Sequence, residues 1–198
     1  MKFDKNYYFG RSISNYQNYR LHKLKITWWS VLRILKQYKG GTFLDVGCAF
    51  GFLVHYATPY FTRVVGVDIS EFAIKEAKTN FPNLEFYVED VMRLPFSPEE
   101  FSMITALDVL EHTTDLGVAV KEIYRVLKPE GFFFCRMPYN GFWRKIFGKF
   151  DKDISHISIL KAEDYREIVE KCGFRVIKSR TYFTPWGGNI NFLLKKGN

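Results

Sequence analysis

A single α/β domain on a mostly parallel sheet is the fold class this sequence predicts, and three observations predict it. Short apolar runs bounded by turn residues alternate with helical patterns of about a dozen residues, the rhythm of βαβ units. One strand runs directly into a glycine-bounded turn at Gly47–Gly51, a device of open α/β sheets. No repeat, low-complexity tract or Pro/Gly/Ser-rich linker divides the chain, and 198 residues at 47% hydrophobic suit one core better than two.

The elements follow in order. Leu21, Leu24, Trp28, Val31, Leu32, Leu35 and Tyr38 fall at helical spacing, with Lys23, Arg33 and Lys36 among the polar positions. That amphipathic helix is expected to pack on the sheet, with a membrane-surface role as the alternative. Thr42–Val46, Arg63–Val67, Leu84–Val88, Ser102–Ala106 and Gly131–Met137 read as strands covered on both faces. Between them, Ala73, Ile74, Ala77 and Phe81 share a helix face after a Ser70 cap. Leu116, Ala119, Val120, Ile123 and Leu127 do so after Thr114 or Asp115. Tyr165, Ile168, Val169 and Cys172 line a helix that Gly173 terminates. Phe174–Tyr182 and Asn191–Lys196 then form strands joined so tightly that an antiparallel pair is expected. We divide the chain into an N-terminal lid and helix (1–39) and a ligand-binding domain (40–198), whose residues 138–160 form an insert.

The net charge of +8 is unevenly placed. Residues 1–39 carry +8, residues 40–130 carry −7 and residues 131–198 carry +7. An acidic centre can hold a cation, while basic flanks face something anionic; the plainer reading is solvated surface. No uninterrupted apolar run is long enough to span a bilayer, and the first residues lack the apolar stretch of a secretory signal. A cytoplasmic protein without integral membrane association is expected. Cys48, Cys135 and Cys172 are widely spaced and odd in number, which suits reduced, mostly buried thiols. No His/Cys/Asp/Glu set has metal-ligand spacing, so no metal is expected.

The chemistry concentrates at strand ends. In Phe43-Leu44-Asp45-Val46-Gly47-Cys48-Ala49-Phe50-Gly51, the glycines let backbone approach a ligand, where a Cβ would obstruct it or strain the turn. Asp68 closes the second strand 23 residues after Asp45 and can accept from both ribose hydroxyls of an adenine cofactor. Its alternative is an acid at a helix N-terminus. A dinucleotide site wants G-x-G-x-x-G for its pyrophosphate. Here the spacing is Gly47-x-Ala49-x-Gly51 with Asp45 upstream, which disfavours a pyrophosphate and favours a cation.

With these residues the chain resembles the class I S-adenosylmethionine-dependent methyltransferases, of the small-molecule type related to ubiquinone-biosynthesis and other methyltransferase 11/23-like enzymes. Leu44–Gly51 resembles the family's first motif and Asp68, followed by Ile69, its ribose-binding acid. Glu89-Asp90-Val91 before Leu94-Pro95-Phe96 resembles the segment whose Asp meets the adenine amino group and whose next residue packs on the ring. Ala106-Leu107-Asp108-Val109-Leu110-Glu111-His112 resembles the motif closing strand four, and Arg125–Phe133 the turn into strand five. Ala49 departs from the commoner glycine. The resemblance implies a Rossmann-like, seven-stranded sheet with an antiparallel last strand and helices on both faces. It implies S-adenosylmethionine as cofactor, S-adenosylhomocysteine as product, and a cofactor set of Asp45, Gly47, Cys48, Ala49, Gly51, Asp68, Ile69, Asp90, Val91, Leu107 and Asp108.

Methyl transfer needs alignment more than a base. If the nucleophile bears a proton, a histidine is the natural acceptor, and His112 and His156 are the candidates. The alternative for His112 is structural support of the cofactor loop, and for His156 a loop histidine hydrogen-bonded to Asp153 or to backbone. Tyr8, Tyr16, Arg20, Tyr139 and Trp143 are the substrate-binding candidates, since aromatics sandwich planar groups and cations attract anions. The first expectation is a small, anionic or aromatic/lipid-like acceptor methylated on O, N or C. RNA or a nucleotide is second, given a pI of about 9.3. A noncatalytic cofactor-binding partner subunit is third. An NAD-dependent oxidoreductase is opposed by the missing third glycine and by Asp45.

Overall fold

The computed structural model describes residues 3–9, 29–139, 157, 159–184 and 187–197. Its centre is a seven-stranded sheet in the order β3-β2-β1-β4-β5-β7-β6. The strands are β1 (Thr42–Val46), β2 (Arg63–Asp68), β3 (Glu85–Val88), β4 (Phe101–Leu107), β5 (Leu127–Tyr139), β6 (Phe174–Thr184) and β7 (Gly187–Lys196). β1 to β5 pair in parallel, while β7 lies antiparallel between β5 and β6. The expected antiparallel strand is therefore present, inserted one place in from the edge.

Helices cover both faces. α2 (Trp29–Gln37), α3 (Phe52–Ala57) and α4 (Glu71–Asn80) lie on one side, over Phe43, Met103, Phe134 and Leu193. α5 (Leu116–Val126) and α6 (Ala162–Lys171) lie on the other, over Leu44, Ile104, Phe133 and Phe192. A parallel sheet needs this double cover because crossovers place helices on each face. α5 buries Leu116, Ala119, Val120, Ile123 and Val126, and each large aliphatic among them contributes about 1.5–3 kcal/mol.

Local chemistry sets the boundaries. Ser70 Oγ accepts from the N–H of Ala73 at 3.1 Å and starts α4; Asp115 Oδ1 accepts from Val118 at 3.0 Å and starts α5, so Asp115 rather than Thr114 is the cap. Gly173, at φ +97°, stops α6. Of the expected N-terminal helix, 29–37 is present, with Val31 and Leu35 buried; Leu21 to Trp28 lie outside the described residues. The short α1 (Lys5–Phe9) folds back onto the turn after β1, where Tyr7 and Tyr8 join Ala49, Phe50 and Ala73 in a small apolar cluster. Among the described residues, no helix is long and apolar enough to cross a membrane.

Candidate functional site

Strand order reverses between β1 and β4, and the carboxyl ends of those strands open the crevice where such sheets bind ligands. The turn after β1 is held from beneath: the N–H groups of Gly47 and Cys48 both donate to Val67 O, at 2.8 and 2.9 Å. Gly47 and Gly51 have φ of +70° and +79°, so strain demands glycine as expected. A Cβ there would strike protein rather than an approaching ligand, 2.1 Å from Val109 Cγ2 at Gly47 and 2.6 Å from Phe86 Cζ at Gly51. Ala49 adopts the same left-handed region at φ +46°, which costs a residue with a Cβ about 1–2 kcal/mol.

Asp68 ties the turn to the start of α4. Its Oδ2 accepts from Ala49 N and its Oδ1 from Ser70 N, each at 2.9 Å. Two backbone donors leave each oxygen a second lone pair for a further donor, such as a hydroxyl. Burial pushes the Asp68 carboxyl above its ordinary range, and these two hydrogen bonds pull it back. Asp45 lies on the same face, buried, with Oδ1 accepting from Thr105 Oγ at 2.6 Å across the β1–β4 register. Desolvation raises Asp45 to about 7, with Thr105 opposing and Asp68 adding a little. The two acids thus lie on one face of the sheet, at the ends of β1 and β2.

Next to this pair, Ile69 is 54% exposed, unusual for an isoleucine between a buried acid and a buried serine. Asp90 follows β3, with Oδ1 accepting from Met92 N at 2.9 Å, and Val91 is buried behind it. Cys48 is buried, its thiol pushed well up by burial, with Sγ packed toward Gly66 and 3.9 Å from Ala49 O within the turn. Leu107 ends β4, and Asp108 follows at φ +56°. Arg136 Nε reaches the Asp108 carboxylate oxygens at 2.9 and 3.0 Å.

His112 closes the 3₁₀ turn Leu110–His112, its ring edge-on to Phe3 at 5.6 Å. Ile157 N donates to Glu111 O in the same turn at 2.9 Å. Tyr8 is buried beside Asp68 and Ser70. Burial first and the Asp68 charge second push its hydroxyl well above the phenol range, against a hydrogen bond with Ser70. Ser70 Oγ in turn donates to Phe3 O. Tyr139 ends β5 in a different cluster, against the backbone of Gly188. His156, Tyr16, Arg20 and Trp143 lie outside the described residues.

Three residues were not singled out from the sequence. Thr105 and Arg136 had a readable signal, a polar side chain within an apolar strand run. Asn191 had none, because its burial depends on pairing with β5 and β6.

Comparison with known proteins bears on the family and the fold. Residues 44–135 match the profile described as a methyltransferase domain. Demethylmenaquinone methyltransferase of Staphylococcus carnosus is 33% identical over 62% of this chain and 53% of its own length. A 2-methyl-6-phytyl-1,4-hydroquinone methyltransferase of Synechocystis is 30% identical over 68% of this chain and 46% of its own. The chain spans about half the length of the curated relatives it matches. An S-adenosylmethionine-dependent methyltransferase of Clostridium acetobutylicum has the same fold, with TM-score 0.71 at 15% identity over 92% of this chain and 94% of that one.

Proposed function

Because the chain belongs to the class I S-adenosylmethionine-dependent methyltransferases, we propose that it transfers a methyl group to a small aromatic or lipid-like acceptor bearing negative charge. The observation that carries the reading is the acid pair on one face of the sheet at the ends of β1 and β2, Asp68 fixed by Ala49 and Ser70 and Asp45 fixed by Thr105. The quinone chemistry in the relatives' names supports an aromatic or lipid-like acceptor.

The site fits the cofactor on its own features. S-adenosylmethionine supplies a methyl group on a sulfonium, a leaving group that already activates the carbon. Asp68 would take the ribose hydroxyls, Ile69 and Val91 the faces of the adenine ring and Asp90 its amino group. Asp45, behind the turn, supplies negative charge toward the cationic methionyl end, and the backbone of 47–51 shapes the bed. Tyr8 closes the ribose side and excludes water there. Asp108 and Leu107 mark the end of β4, where the methyl group meets the acceptor. His112 and His156 are the side chains we assign to take a proton from a protonated nucleophile.

Calorimetry with S-adenosylhomocysteine tests the cofactor half. Asp68→Ala is expected to weaken binding by about 1–3 kcal/mol, the worth of hydrogen bonds to a charged group. Undiminished affinity rejects the assignment. His156→Ala is expected to lower turnover more than cofactor affinity; equal effects remove it from the chemistry. Transfer of labelled methyl to a small-molecule extract reads the acceptor half, and label appearing only in RNA would overturn it.

A further inference from the structure

At the β6 edge the two faces of the sheet carry different surface chemistries. On one face, α6 interleaves acids and bases, and its exposed charges pair with one another, Arg166 with Glu170 and Lys171 with Glu167. Mixed charge of this kind is ordinary solvated surface. On the face that α2 covers, the pattern has a single sign. Neither α2 nor β6 nor β7 contains an aspartate or glutamate.

The register decides which cations share that face. Tyr38, just past α2, packs on Phe132 of β5 with ring centroids 4.1 Å apart. Phe132 stands opposite Lys195 of β7, and Lys195 opposite Arg175 of β6. Leu193, part of the core under α2, stands opposite Lys178, and Asn191 opposite Arg180. Residues directly opposite in antiparallel strands point to one face. Arg175, Lys178 and Arg180 therefore run along the edge strand on the α2 side, all exposed, with Lys36 and Lys39 exposed on the same side. Glu130 neutralises Lys195. Lys36, Lys39, Arg175 and Lys178, by contrast, form no ion pair among the described residues. Edge strands are often guarded by a lysine against pairing with another chain. Cations spread over two elements with no acid among them go beyond that need and set up a field of one sign.

We propose that this basic side docks on the anionic surface of a membrane, where Lys36, Lys39, Arg175, Lys178 and Arg180 meet lipid phosphates. Two observations favour a membrane over a polynucleotide. The cations lie on an exposed sheet edge and helix, which suits a broad charged plane. The aromatic side chain in the row, Tyr182, already carries the Arg180 guanidinium 5.1 Å over its ring, where a base would stack. Arg180 is in register, through Asn191 and Arg136, with Leu107 at the end of β4. The row thus reaches the level of the crevice, and a lipid-like acceptor could be drawn from the surface on which the protein sits. That last step rests on the methyl-transfer reading, whereas the docking surface rests on charge alone.

The test sediments the full chain, loaded with S-adenosylhomocysteine, with vesicles of phosphatidylcholine alone or mixed with phosphatidylglycerol. Each cation close to an anionic bilayer strengthens attachment about fivefold. Partitioning roughly tenfold or more in favour of the anionic vesicles is expected, and it should weaken as salt is raised. The triple variant Arg175→Gln, Lys178→Gln, Arg180→Gln should lose about 100-fold and keep its affinity for S-adenosylhomocysteine. Arg175→Lys with Arg180→Lys, which preserves the charge, should bind vesicles as the native chain does. Equal partitioning onto both vesicles, or a triple variant that binds as well as the native chain, would overturn the proposal. So would a short single-stranded RNA that binds more tightly than the anionic vesicles and is lost in the same variant. Vesicle binding by a chain that transfers no methyl to any lipid-like acceptor would uphold the surface and reject that acceptor; transfer to a dispersed lipid-like acceptor without vesicle binding would do the reverse.

Discussion

Asp45 shows how much a single buried carboxyl can decide. Its pKa in the folded chain, about 7, stands above the ordinary value of 3.8. A raised carboxyl binds its proton more tightly when folded, so its contribution to stability is largest below pH 3.8 and is lost as pH rises through 7. Asp45→Asn keeps an oxygen for Thr105 and removes the charge. It should therefore gain on the native protein between pH 5 and 8, by on the order of 2–4 kcal/mol in denaturant titrations. Native affinity for S-adenosylmethionine should fall as pH drops below 7, and the variant's should stay flat and weak. Parallel stability profiles for the two proteins would remove Asp45 from this account. Ala49 makes a second prediction. Relief of its left-handed strain offsets the loss of a buried methyl worth about 0.8 kcal/mol, so Ala49→Gly should lie within about 1 kcal/mol of the native chain. Ala49→Val, branched at φ +46°, should cost about 2 kcal/mol or more in the same titration. The sequence told that position 49 departs from glycine; its conformation became visible only with the Asp68 hydrogen bond that fixes it.

The elements were largely legible where one local signal governed them. β1 runs over Thr42–Val46 as the apolar run predicts, and Ser70 and Gly173 begin and end their helices. For β5 the sequence predicts only Gly131–Met137, because Lys128-Pro129-Glu130 has the composition of a turn. The structure carries the strand back to Leu127, paired with Phe101 ahead of a bulge, a tertiary pairing that composition cannot report. The loop after β3 also depends on a distant element. Arg125 on α5 donates to Leu94 O at 2.9 Å and Phe96 O at 2.8 Å, and Glu122 accepts from Leu94 N at 2.9 Å. This clasp fixes 94–96 and through it the approach of Asp90. Arg125→Met keeps the aliphatic packing but leaves two carbonyls without the guanidinium, so it should destabilise by about 1–3 kcal/mol. It should also weaken adenosine and S-adenosylhomocysteine by similar factors in calorimetry, since both use the adenine end. A stability loss with both affinities intact would restrict the clasp to a structural role.

For the molecule as a whole, the charge blocks were the most informative feature of the sequence and the least specific. An excess of −7 over residues 40–130 reveals that acids cluster but not that Asp45 and Asp68 share one face of the sheet, which the register of β1, β2 and β4 decides. Likewise Arg136 of β5 and Arg180 of β6 come to share one face only because β7 inserts between the two strands. Those acids repel each other on that face, and a cationic ligand that also ties β1 to β2 and β3 would relieve the repulsion only in the folded chain. A ligand that binds only the native state stabilises it by about 2.7 kcal/mol at one hundred times its dissociation constant. For a chain of this size each kcal/mol moves the melting temperature by about 2–4 °C. Saturating S-adenosylmethionine or S-adenosylhomocysteine should therefore raise Tm by about 5–10 °C, while NAD, whose pyrophosphate meets two carboxylates, should leave it unmoved. Asp68→Ala should start from a lower Tm, because Ala49 and Ser70 lose their shared acceptor, and should show a smaller shift with either compound. A rise with NAD and none with the sulfonium compound would mean that the acid pair only supports the turn, and the crevice would have to be assigned to a different nucleotide.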